Sequence, residues 1–174
     1  AGGAGGGTSG TGQGYGSGIF IQGDQSVSLA AAAGQTLVID DTVTDAAAHG
    51  GTGGGTLVLN GVGTVALDGT TDLSGHVALD SGVLAIGDLF VHTTATISTG
   101  IDFGGPAKLD INSASAHRPF TASVGGFALG DTIDLAGIVP GGVHYAAGQI
   151  SYTLPNGATE TFDLGLASPG TVQI

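Results

Sequence analysis

The 174-residue chain contains no cysteine, no methionine and no tryptophan. Without cysteine there is no disulfide frame, no thiolate nucleophile and no thiolate ligand for a metal. Lysine and arginine together number 2, at Lys108 and Arg118, and glutamate occurs only at Glu160. Solvent-facing helices dress their outer surface with those residue types, so their scarcity argues against a helical fold. Aromatic residues make up only 5% of the chain. No apolar run approaches the roughly 18 residues of a membrane-spanning helix. The chain opens at Ala1 with neither a charged nor an apolar leader region, so any signal peptide is expected to have been removed.

What is present points to strands. Glycine occurs 36 times, about three times its usual share of roughly 7%. Glycine at that level often accompanies disorder, but 41% of residues are apolar and only 9% charged. Disorder needs the opposite balance, so the chain folds. Valine, isoleucine, threonine and leucine are punctuated at short intervals by glycine, asparagine and aspartate, which reads as all-β. The length suits one domain with a substantial core. A net charge of −12 and a pI near 4.1 disfavour nucleic acid and anionic membrane as partners and suit a secreted protein.

Residues 1 to 18 form a glycine-rich segment whose only larger side chains are Gln13 and Tyr15. Short strands follow at Ile19 to Ile21 and Val27 to Leu29. Similar segments then begin at Leu37, Leu57, Val77 and Ile97, twenty residues apart three times running. If each coil of a solenoid takes twenty residues, those four side chains stack as an interior ladder, with rungs roughly 4.8 Å apart. Ile39, Leu59, Leu79 and Thr99 form a second ladder. A further strand per coil appears at Val65 to Leu67 and Leu84 to Ile86, offset by nineteen. The connections are too short for crossover helices, which excludes a βαβ fold and favours a parallel solenoid over 19–118. Residues 119–174 leave the register and gather Phe120, Phe127, Tyr145, Tyr152 and Phe162. Ile150 to Leu154 and Thr159 to Leu164, around Pro155-Asn156-Gly157, predict two strands and a tight turn in a terminal β unit that covers the solenoid's edge.

The glycine-rich lead into Gly16 to Gly23, the run Ala32 to Leu37, the run Gly54 to Gly61 and the stretch Gly126 to Leu135 resemble the passenger regions of large Gram-negative autotransporters and related surface proteins. The resemblance implies a right-handed parallel β-helix, export to the bacterial cell surface, and an adhesive or structural role. The amphipathic strands of a translocator barrel are missing, so the chain is expected to be a passenger fragment or a free-standing relative.

No constellation of catalytic, cofactor-binding or metal-ligating residues is read from the chain. Asp40 and Asp41 are adjacent and, on a strand, point to opposite faces. Asp40, Asn60 and Asp80 are expected in one outward column, with the carboxylates about 10 Å apart and a repulsion in water of only about 0.4 kcal/mol. Asp131 and Asp134 carry oxygen ligands suited to calcium, yet the Gly-Gly-x-Gly-x-Asp pattern of calcium-binding β-rolls is absent, and a turn aspartate followed by a strand explains them. His49, His76, His92, His117 and His144 never fall within five residues of one another, so no zinc spacing arises. Glycine runs at Gly5 to Gly10 and Gly61 to Ala66 match a dinucleotide fingerprint in form, but neither opens a helix. Thr36 and Thr56 are expected to align; His76 then interrupts the array that ice binding would need.

The expectation is therefore a non-enzymatic, extracellular β-solenoid acting as surface scaffold or adhesin module. It is expected to self-assemble head to tail through the glycine-rich N-terminus and the strand-like Thr171 to Ile174. The alternative class is a carbohydrate-binding or carbohydrate-cleaving β-helix, with host or surface glycans as partners. A third is a calcium-stabilised adhesin.

Overall fold

The computed structural model describes residues 18–87, 96–97, 99–112, 120–138 and 140–167. They form a β-solenoid of about four turns, with three strands to a turn. The first face stacks β1 (Ile19–Ile21), β4 (Val43–Asp45), β7 (Thr70–Asp72) and β10 (Thr96–Ile97). The second stacks β2 (Ser26–Leu29), β5 (Thr56–Leu59), β8 (His76–Leu79), β11 (Gly100–Phe103) and β13 (Val124–Phe127). The third stacks β3 (Thr36–Ile39), β6 (Thr64–Leu67), β9 (Gly82–Ile86), β12 (Ala107–Ile111) and β14 (Thr132–Leu135). All pairs within the three stacks are parallel.

Alternation within each short strand sends every second side chain inward, and parallel register places equivalent side chains above one another. On the second face Leu57, Val77, Ile101 and Val124 form one ladder, each at most 1% exposed. On the third face Val65, Leu84 and Leu109 form another, at 3% or less. Leu59 aligned with Leu79, and Val65 aligned with Leu84, agree with the sequence expectation. The turns between faces are too tight for ordinary residues at Gly82. Its φ is +76°, and a Cβ there would run into the carbonyls of Gly61 and Gly63.

The uniform twenty-residue ladder does not hold beyond Leu57 and Val77. Leu37 lies on the third face and aligns with Val65, while Ile97 lies on the first face and aligns with Thr71. Likewise Ile39 aligns with Leu67, and Thr99 precedes β11 rather than following Leu79 in a ladder. Spacing between rungs varies: Val27 aligns with Leu57 thirty residues on, Leu57 with Val77 after twenty, and Val77 with Ile101 after twenty-four. The physical reason lies at the corners. Residues 46–55, which include a short 3-10 turn at Ala47–His49, lengthen one corner, whereas Leu73 to Gly75 cross the equivalent corner in three residues. The regular interval in sequence thus samples three different faces.

The unit expected over 119–174 begins with two strands, β13 and β14, that still belong to the solenoid stacks. Beyond them come β15 (Val143–Ala146), β16 (Gln149–Thr153) and β17 (Thr159–Leu166). β17 adds in parallel to β13, and β16 and β15 follow as an antiparallel meander, so the second face grows to eight strands. The turn expected at Pro155-Asn156-Gly157 is present. Gly157 has φ +86°, and the Asn156 side-chain oxygen accepts from the Ala158 N–H at 2.9 Å. Phe120 and Phe162 meet edge to face at 5.1 Å, beside Tyr152, and close the core at this end. Among the described residues no helix is long and apolar enough to cross a membrane.

Candidate functional site

A buried carboxylate that accepts four hydrogen bonds lies at the long corner. Asp45 ends β4 with its side chain turned into the core, 0% exposed. One carboxylate oxygen accepts from the backbone N–H of Ala48 at 2.9 Å and from the Ser74 hydroxyl at 3.3 Å. The other accepts from the N–H groups of Gly55 at 2.9 Å and Ser74 at 2.7 Å. Burial by itself raises this carboxyl's pKa. The bonds from Ala48, Gly55 and Ser74 outweigh it, so Asp45 titrates below the ordinary carboxylate range. The group ties the loop, the start of β5 and the next rung together. Beside it, the buried Thr44 hydroxyl lies 3.1 Å from His49 Nε2, and the Phe20 ring sits 6.4 Å from the imidazole. This corner is a structural closure, since both Thr44 and Asp45 are sealed from solvent.

On the outer side of the third face, Asp110 and Asp134 stand opposite each other on adjacent rungs. Lys108 bridges them, its Nζ 2.7 Å from Asp134 and 3.3 Å from Asp110. The hydrogen bond to Asp134 raises the lysine's pKa against the opposing effect of burial, and Asp110 adds to the rise. The cation neutralises a like-charge pair that the rung spacing would otherwise leave in place.

A groove of about 440 Å³ opens where the solenoid passes into the meander. Thr121 and Ser123 line it from the approach to β13, Thr161 and Asp163 from β17, and Gln149 from β16, with Phe162 beneath. Gln149 Nε2 donates to Asp163 Oδ1 at 2.8 Å and holds that carboxylate in place. Hydroxyls, an amide and one fixed carboxylate offer mixed donors and acceptors, the chemistry that suits a neutral polyhydroxylated ligand. Sequence reading missed this site. Its polar residues are alternate outward positions on strands whose inward positions are apolar, and only the meander brings β16 beside β17.

The residues singled out in the sequence are dispersed. Asn60 and Asp80 do occupy one column, since each backbone N–H reaches back to the preceding rung, at Leu29 and Leu59 respectively. Asp40 does not join them; it closes β3 on the third face, next to the rung that carries Asp68. Thr36 aligns with Thr64, not with Thr56, which aligns with Ser26 and His76. Asp131 caps a turn: its carboxylate accepts from Ala128 at 2.8 Å and Ala107 at 3.2 Å. Asp134 points outward between the inward Ile133 and Leu135, as expected. Gly61 to Ala66 leads into strand β6 rather than a helix. His49 and His144 are exposed at separate places, and His76 is half-buried on β8. His92, His117, Gly5 to Gly10 and Thr171 to Ile174 lie outside the described residues. Among the described residues, no group of three or more His, Cys, Asp or Glu side chains is placed to hold a metal ion.

Comparison with protein-family models, with curated proteins and with solved structures gives no match to this chain.

Proposed function

We propose that the chain is an extracellular structural module, a β-solenoid that serves as surface scaffold or adhesin segment, as its resemblance to autotransporter passengers implies. The observation that carries this reading is the parallel stacking of three faces around one apolar core, a core that extends from Ile21 to Leu164. A solenoid of this kind holds its outward rows at fixed spacing along a rod, which is the mechanical requirement of a scaffold. The acidic outer surface keeps such rods soluble and apart from anionic membrane. Protease treatment of intact source cells carrying an epitope-tagged chain tests the location. Loss of the tag from intact cells is expected; protection until the cells are lysed refutes the extracellular assignment.

The groove at Thr121, Ser123, Gln149, Thr161 and Asp163 favours glycan binding as the second reading. Glycoside cleavage usually employs two carboxyl groups across the bond, and the groove lining supplies one, Asp163, so binding is the form this reading takes. Chemical-shift mapping with neutral mono- and oligosaccharides tests it. Shifts confined to the Gln149 side-chain amide and the Ser123, Thr161 and Asp163 backbone support it, and an unresponsive groove removes it.

A further inference from the structure

The eight-stranded second face ends in two strands that have one partner each among the described residues, β2 at one end and β15 at the other. Each is four residues long. Their directions agree: β17 runs parallel to β13, β16 reverses, and β15 reverses again, so β15 points the same way as β2. Their alternation agrees as well. Val27 and Leu29 face the core side and are only half-buried, with Ser26 and Ser28 exposed. Val143 and Tyr145 do the same, with His144 and Ala146 exposed. One strand further in, Leu57, Leu59, Ile150 and Tyr152 are 5% exposed or less.

Among the described residues, the backbone at the β2 edge bonds to one side only. The carbonyls of Gln25 and Leu29 accept from Thr56 on β5 and from Asn60 just after it. Strand alternation therefore turns the N–H and C=O groups of Ser26 and Ser28 away from the sheet. Edges are commonly guarded by charge, chiefly lysine, or by proline. Neither β2 nor β15 carries a proline, lysine, arginine or acidic residue, in a chain of net charge −12.

We infer that copies of this chain join head to tail by pairing β2 of one with β15 of the next in parallel, which makes the second face continuous from copy to copy. The alternation sets the register, with Val27 opposite Val143, Ser28 opposite His144 and Leu29 opposite Tyr145. Such a contact is heterologous and does not close on itself, so it propagates as a filament. Eight strands per copy give an axial repeat of about 38 Å. The joint runs along one face only, because among the described residues the third face stops at β14, so assembly is expected to depend on concentration. The inference deepens the scaffold reading and rests on it.

The absence of native cysteine gives a direct test. The double variant Ser28→Cys with His144→Cys, treated with a short bis-maleimide, is expected to yield a ladder of covalent oligomers. Either single variant is expected to stay monomeric on a denaturing gel, and an equal mixture of the two to yield dimers. Ser28→Pro removes an edge N–H that β5 does not use, so it should abolish filaments while leaving the monomer's circular dichroism intact. Ser28→Thr should keep them. Dimers from Ser28→Cys alone would overturn the inference in favour of a symmetric contact. Monodisperse wild-type particles at every concentration, with no cross-linked ladder, would overturn it in favour of an edge covered within the same copy. The cross-links report the junction and protease treatment of cells reports location, so the two proposals fail separately.

Discussion

Replacing Asp45 by asparagine is the most informative single change, because it keeps the shape of the side chain and alters only charge and hydrogen bonding. The carboxylate accepts four hydrogen bonds, three of them from backbone N–H groups, at a position that is 0% exposed. An asparagine retains one acceptor oxygen. If its NH2 takes the place nearer Gly55 and Ser74, two backbone donors lose their acceptor. In the other orientation the Ala48 N–H loses its bond while the Ser74 hydroxyl turns to accept. The second arrangement is cheaper, and it still forfeits one charge-assisted bond and weakens two more. At 1.5 to 3 kcal/mol for a bond to a charged group, the expected loss is about 3 kcal/mol. Asp45→Ala, which strands all three backbone donors, should lose more, about 5 kcal/mol. Chemical denaturation gives the global change. Hydrogen exchange at the amides of Ala48, Gly55 and Ser74 gives the local one, and the three should lose protection together. The pH dependence supplies an independent check. Because the folded carboxyl titrates below its unfolded value, its contribution is fully present above about pH 4 and disappears as pH falls through the folded value. The gap between wild type and Asp45→Asn should therefore narrow in acid. A variant within about 0.5 kcal/mol of wild type at neutral pH, or a gap that stays constant into acid, would refute the reasoning.

The rung assignment is tested by comparing two leucines that look equivalent in the sequence. Leu57→Ala, in the middle of the stack and 0% exposed, should cost about 3 kcal/mol in denaturant unfolding. Leu37→Ala, on the half-buried end rung, should cost about half as much; equal losses would contradict the register. Gly82→Ala should destabilise by about 2 kcal/mol or more, because its φ of +76° and the nearby carbonyls exclude a Cβ. A neutral result in thermal melts would mean that this corner relaxes. Lys108→Ala should cost no more than about 1 kcal/mol, since the pair is one third exposed or more on the acidic side. The difference should vanish in high salt. It should also be lost as pH rises beyond about 10, because the folded lysine's pKa is raised.

Composition and local pattern determined a good deal of this protein. The scarcity of lysine and glutamate, the short alternating segments and the glycine-rich connections left room for little but a parallel β-solenoid. The hairpin around Pro155-Asn156-Gly157 follows from turn chemistry that acts over five residues. The outward direction of Asp134 follows from the two-residue period of a strand. These features depend on near neighbours in the chain, and the chain displays them directly.

What only the tertiary structure decided is which strand lies on which face. Leu37, Leu57, Val77 and Ile97 share an interval but not a ladder, because corner lengths differ and a corner's length is settled by how it packs. For the same reason Asp40 leaves the column of Asn60 and Asp80. The buried role of Asp45 was invisible: a lone aspartate after Val43-Thr44 reads as a turn residue until Gly55 and Ser74, ten and twenty-nine positions away, are folded onto it. The groove and the two edges of the second face that lack a second partner among the described residues arise where distant segments meet, Thr121 with Asp163 and β2 with the far end of the same sheet. A repeat in sequence determines that strands stack. The lengths of the turns between them determine what each strand stacks upon.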